Sequence, residues 1–252
     1  MNEVIEWFSD PYNWRGFGGV PVRLGQHLQY SAIALLVAVV IAVPIGAAVG
    51  HTRRGGFLVV GFANGLRALP ELGLLTLLVV AVGIGLLPVT VALAVLGIPP
   101  LLAGTYAGIR NVDRSVVDAA RGMGMRELQV LFKVEIPNAL PLILGGLRAA
   151  ALQVVATAVV AAYVSLGGLG RYLIDGLKTG DPGQATAGAV LVVALALVVE
   201  GLLALLQRQV VSPGLRAAGG ARRSPVAEVA TTDSSAAAVS VNPDPEPSGA
   251  IR

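Results

Sequence analysis

The chain has 252 residues, 55% of them apolar and only 13% charged, with no cysteine and a formal net charge of +3. A soluble domain carries about 25% charged residues, so this composition, with a mean hydropathy of +0.75, argues for lipid as solvent. Disulfides, thiol catalysis and thiolate metal sites are excluded. His27 and His51 lie far apart with no obvious carboxylate cluster, so no metal site is expected, and basic residues crowd the ends of apolar segments, which speaks for membrane topology and against nucleic acid.

Residues 1–27, which hold Asp10, Pro11, Asn13 and Arg15, lack the basic head and unbroken apolar core of a cleavable signal. They read as an extracytoplasmic segment before an uncleaved anchor. A helix needs about 20 apolar residues to cross a hydrocarbon core of roughly 30 Å. Four stretches supply them: 28–50, 89–109, 140–163 and 187–206. The stretch 57–87 is too long for one straight span and is interrupted at Arg67-Ala68-Leu69-Pro70-Glu71. Proline removes a backbone donor and kinks helices, so a short cytoplasmic-side helix is expected there, leading into a crossing from Leu72 to Leu86. The prediction is an all-α integral membrane domain over 28–210 with five core crossings. Residues 211–252, dominated by Ala, Ser, Thr and Pro, hold too few large apolar residues to offset ordering entropy and read as a disordered, dispensable cytoplasmic tail.

Charge sets the orientation. With five crossings, the loops 51–56 and 110–139 and the tail fall on one side, and they carry twelve of the 18 basic residues, Arg53, Arg110, Arg121 and Lys133 among them. The positive-inside rule makes that side cytoplasmic, with the N-terminus outside and the C-terminus inside the cell membrane.

The loop 110–139 leads into a polar, helix-prone run, DAARGMGMRELQVLFKVEIPNALP, over 118–141. Val116, Val117, Ala120, Met123, Leu128, Val130 and Leu131 recur at helical spacing, and Arg121, Arg126 and Glu127 break the pattern with charge. Gly124 suits a left-handed bend or the close approach of another chain. Pro137 is expected to end the second helical piece. Spacing alone gives a short helix, a bend and a second helix, a description that also fits an amphipathic surface helix between two spans. A P-loop needs glycines running into Gly-Lys-Ser/Thr, and neither Lys133 nor Lys178 follows a glycine. ATP hydrolysis is therefore expected on another polypeptide.

Asp118-Ala119-Ala120, then Gly124, then Ile136-Pro137 resembles the cytoplasmic coupling motif of permease subunits in bacterial ABC importers. Asp118 stands where Glu is usual, which keeps the charge. The resemblance covers residues 25–210, and the run from Thr105 to Arg148 is most similar to the osmoprotectant branch, whose cargo is betaine, carnitine or choline. It implies the type I importer permease fold, with Asp118, Ala119, Ala120, Gly122, Gly124, Ile136 and Pro137 as the segment that docks in a groove on a cytoplasmic ABC ATPase. It also implies a second permease subunit, identical or homologous, and an extracytoplasmic substrate-binding protein. No cofactor is expected on this chain itself, with ATP and Mg on the partner ATPase.

Ionisable groups at bilayer depth are costly, which makes each a functional candidate. Arg67 and Glu71 read either as a pair across the Pro70 kink facing a path or gate, or as a structural pair that stabilises the kink. Glu200, in the last span, contacts the path or a partner, or lies close enough to the cytoplasmic boundary to reach water. Arg148 is expected to snorkel to the cytoplasmic headgroups. Asn64, Gln153, Thr157 and Tyr163 either line a path or act as interhelical glue. The outside loop 164–186, with Tyr172-Leu173-Ile174 and Leu177, suggests a short interfacial helix. By resemblance it is where a binding protein docks, and the alternative is a plain connection. No aromatic cage for a quaternary ammonium group is legible in the spans, which leaves selectivity chiefly with the binding protein.

Three other functions stay open at this level. A permease for amino acids or methionine shares the architecture. A secondary transporter works without an ATPase and usually shows internal repeats near broken helices, and none is legible here. A channel or scaffold has no need of the 118–137 segment.

Overall fold

The computed structural model describes residues 2–210, and all regular structure among them is helical. The tail 211–252 lies outside the described residues. Before the first long helix come α1 (Asn2–Ser9) and a 3-10 turn at Pro11–Trp14, where Asp10 accepts from the Tyr12 amide at 2.9 Å. The long helix α2 (Val20–Thr52) begins earlier than its apolar run, because Gly19 is extended and Pro21 suits a first turn. Its 33 residues are about 50 Å long, more than the roughly 30 Å of hydrocarbon.

The stretch 57–87 differs from expectation. It holds two helices of 12 residues, α3 (Gly56–Arg67) and α4 (Glu71–Val82), bent by 85° at the break before Glu71. Pro70 stands extended at the head of α4, and Gly83, in the left-handed region, ends it short of Leu86. At about 18 Å, α4 is too short to cross alone, so the pair is a broken span or a re-entrant turn.

Helix α5 (Leu86–Arg110) is the central element, packed along α2, α3 and α4 and against the later helix α8 (Ile136–Thr157). Its closest approach to α8 is at Gly104 and Gly146. A Cβ at Gly104 would lie 2.7 Å from the Gly146 Cα, so only glycine lets the two backbones meet. Between them run α6 (Arg114–Gly122), the single turn α7 (Glu127–Val130) and a π-helical turn at Leu131–Glu135. A 3-10 stretch, Ala158–Val164, continues α8, and α9 (Gly170–Thr179) and α10 (Pro182–Val210) complete the fold. Four helical stretches are long and apolar enough to cross a membrane, and five crossings result if the bent pair is one span.

Pro137 does not end a helix. From Glu127 to Val164 the chain is one continuous helical stretch, with Pro137 in the first turn of α8. A proline ring clashes with the carbonyl four residues back in an α-helix. The π turn widens the coil just before it, with the Ile136 amide bonded to the Leu131 carbonyl, five residues back.

Candidate functional site

The loop between α5 and α8 is built from its caps inward. Asp113 opens α6 by accepting from the Ser115 amide at 2.9 Å. Past its other end Gly124 adopts φ +83°, with the Gly124 amide bonded to the Arg121 carbonyl and Met125 to the Ala120 carbonyl. That pair of bonds is a Schellman motif, and its left-handed residue explains the glycine. Ala120 and Met125 share one apolar cluster with Ala47, Ile109, Val112, Val117, Val130 and Ala139, which fastens the loop to the ends of α2, α5 and α8.

The apolar residues of this segment divide between two faces. Val117, Ala120, Val130 and Leu131 point inward, whereas Val116, Met123, Leu128 and Phe132 stand exposed beside Asp118, Ala119, Gly122 and Gly124. Phe132 is the member of that exposed set the helical spacing had left out. Ile136 and Pro137 are half-buried at the head of α8, on the inner side.

A charge network crosses the inner side. Arg121 donates to both Glu127 oxygens, at 3.0 and 2.9 Å, and lies 3.7 Å from Asp118. The hydrogen bonds from Arg121 hold the Glu127 carboxyl below its usual range, and Glu127 in turn raises Arg121. Beyond Glu127 stands His51, from the last turn of α2. Its Nε2 lies 3.2 Å from Glu127 Oε2, and its Nδ1 lies 2.5 Å from Glu135 Oε2. Glu135 is buried, on the π turn. The sequence showed no carboxylate near His51, since Glu135 is 84 positions away. The one legible clue was a lone Glu135 set among apolar residues.

The intramembrane candidates do not gather into one site. Arg67 and Glu71 are not paired: Arg67 is exposed, and Glu71 buries Oε1 without a hydrogen-bond partner. Arg67 lines a cavity of about 360 Å³ with Pro99, Pro100, Ala149 and Gln153. Pro100 lies ten residues before Arg110, so the cavity is about 15 Å along α5 from its Arg110 end. Arg148 pairs with Glu200, joining α8 to α10. The Thr157 hydroxyl is spent on the Gln153 carbonyl of its own helix, and Asn64 and Tyr163 are exposed. In the loop between α8 and α10, α9 is held by a bond from the Tyr172 hydroxyl to the Gly18 carbonyl and one from the Gly168 amide to Gln26 Oε1.

Residues 38–217 match the family described as binding-protein-dependent transport system inner membrane component. The chain belongs to that family. The permease is 34% identical over 199 residues, covering 79% of it and 92% of the relative, to the glycine betaine/carnitine/choline transport system permease protein OpuCB of Bacillus subtilis (strain 168). It is 35% identical over 218 residues, 86% of it and 98% of the relative, to the carnitine transport permease protein OpuCB of Listeria monocytogenes. With the choline transport system permease protein OpuBB of Bacillus subtilis it shares 32% over 191 residues, 76% of it and 88% of the relative. Among solved structures it is similar to an inward-facing MetNI methionine ABC transporter, with TM-score 0.69 and 23% identity, over 81% of the permease and 100% of that chain. At that identity the likeness concerns the fold alone, which is that of an ABC importer permease. The permease is thus a multi-pass inner-membrane subunit of such an importer.

Proposed function

We propose that the permease forms half of a membrane path for glycine betaine or a related quaternary ammonium solute. An external binding protein delivers the cargo, and ATP hydrolysis on cytoplasmic ABC ATPase subunits drives it inward. The observation that carries the cargo is the set of relatives at 32–35% identity over most of their length, all named as permeases for glycine betaine, carnitine or choline. The permease itself contributes no catalysis in this reading, and ATP and Mg belong to the ATPase. A second permease subunit closes the path.

The exposed set Val116, Ala119, Met123, Leu128 and Phe132, next to Asp118, Gly122 and Gly124, is the surface offered to the ATPase. The inner set, with Ile136 and Pro137, transmits its displacement to the spans. Five apolar side chains facing water on a short loop are costly alone and make sense under a partner. This assignment puts the loop in the cytoplasm, the N-terminus outside and the C-terminus inside, as the distribution of basic residues requires. At mid-depth, the Pro70 break presents Arg67 to the path, where its guanidinium meets the cargo's carboxylate, and Glu71 is a gate element. Glu200, paired with Arg148, steadies the last span.

The test is labelled glycine betaine uptake in a bacterial host lacking its own osmolyte importers. The host expresses the permease with its ATPase and binding protein, beside a Gly124→Asp control. Asp at φ +83° strains the bend and puts charge on the docking surface. Uptake in the native complex and none in the control is the expected result. A membrane-inserted, ATPase-bound complex that takes up no betaine would discard this cargo. Native uptake in the control would discard the coupling segment.

A further inference from the structure

His51 lies outside every residue set treated so far as docking surface or path, yet both of its ring nitrogens are engaged by carboxylates. It stands in the last turn of α2 with its side chain 13% exposed. Each ring nitrogen faces a carboxylate oxygen from a different part of the loop, Glu127 of α7 and Glu135 of the π turn. Among the described residues, the one side-chain hydrogen bond of Glu135 goes to His51, and that side chain is 2% exposed. Two carboxylates on one ring ask for a proton on each nitrogen, a demand that imidazolium alone meets.

We propose that His51 is the positioning residue that joins the coupling segment to the first core span, its ring bridging Glu127 and Glu135 so that displacement of the short helices reaches α2. The inference rests on the coupling role assigned to α6 and α7.

The path of force is continuous. Arg121 on α6 grips Glu127, Glu127 meets His51, and His51 holds Glu135 at the foot of α8. Behind it Ala47 of α2 packs in the same apolar cluster as Val117 and Ala120. Helix α2 then carries motion along its packing with α5 and α8. A buried carboxylate left without its partner is expensive, so Glu135 keeps the ring in place, while the 60% exposed Glu127 is free to move with the loop. The charged groups around the ring are Glu127, Glu135, Arg121 behind Glu127 with Asp118 beside it, and Arg53, whose guanidinium is turned to the Val112 carbonyl at 3.4 Å.

A neutral side chain that still carries a hydrogen-bond donor can rebuild part of this bridge, a rescue that a merely space-filling role would not show.

The experiment uses the complete importer, permease with ATPase and binding protein, in proteoliposomes, reading labelled glycine betaine uptake and ATP hydrolysis together. His51→Ala should lower uptake per ATP about tenfold, a typical coupling magnitude. His51→Gln, which keeps a hydrogen-bond donor, should restore part of the ratio. A native ratio in His51→Ala, or no recovery in His51→Gln beyond His51→Ala, overturns the proposal. If His51→Ala does not assemble, Glu127→Gln decides, because that exposed side chain touches only His51 and Arg121 among the described residues. A native ratio there overturns the bridge, and a lowered one supports it. Gly124→Asp in the same assay separates the two ideas. If it is uncoupled beside native His51 variants, the role of His51 alone falls. Native coupling in Gly124→Asp removes the reading on which that role rests.

Discussion

Arg148 and Glu200 show how one contact ties two spans. They lie 52 positions apart on α8 and α10, and their side chains are 38% and 25% exposed, so neither is fully enclosed by the protein. Glu200 still buries Oε2 without a hydrogen-bond partner, which makes it more dependent on Arg148 than a surface carboxylate would be. Glu200→Gln keeps the shape and removes the charge from opposite the guanidinium. The expected loss is about 1.5–3 kcal/mol, the range for hydrogen bonds to charged groups, read as a lower Tm of the detergent-solubilised permease. Adding Arg148→Gln should recover part of that loss, because no charge is then left without its partner. An unchanged Tm in the single variant would make the pair ornamental. Arg121 and Glu127 behave differently, being exposed. The lowered carboxyl of Glu127 gives a contribution present above the ordinary carboxylate range and lost as pH falls through its lowered value.

Among the elements, the loop between α5 and α8 shows what sequence reasoning reaches and where it stops. The bend at Gly124 and the break at Pro70 follow from local backbone rules, and both were legible, because a glycine or a proline acts on its neighbours whatever surrounds it. The same local rule misled at Pro137. There the outcome depends on whether the preceding coil can widen, and Leu131–Glu135 does so as a π turn, keeping the helix continuous into α8. Helical spacing found the apolar residues of α6 and α7 but not which face each would take, since that depends on α2, α5 and α8 behind them. Pro137→Ala supplies the missing donor and removes the ring, letting the π turn relax toward α geometry. Losing one residue from the wide turn rotates what precedes it by about 100° and swings Glu135 away from His51. The expected result is a permease that assembles with near-native Tm while its uptake per ATP falls toward that of His51→Ala. Native coupling with a regular helix would show that the π turn is only a packing detail.

For the whole molecule, two levels matter: the loop between α5 and α8 and the cavity lined by Arg67, joined by α5 and α8, which run through both. Gly104 and Gly146 bring those two helices into backbone contact between the levels, a junction stiff enough to carry a displacement upward. At the upper level Arg67 has no ion pair among the described residues and faces a cavity of about 360 Å³, near the size of a small zwitterion with its water. In the proposed path a cation without a counterion is costly, and a passing carboxylate relieves the cost. Glycine betaine and carnitine carry both a quaternary ammonium and a carboxylate, whereas choline carries only the cation. On that proposal the guanidinium favours the first two and repels the third. Arg67→Gln, in the complete importer, should lower betaine and carnitine uptake about tenfold, the lower end of what a charge-assisted hydrogen bond is worth, and leave choline uptake unchanged or raised. The check is uptake of the three labelled solutes by the same preparations, with ATP hydrolysis as the control for assembly. Equal loss of all three would make Arg67 a structural support of the α3–α4 break, and selectivity would then reside wholly in the binding protein.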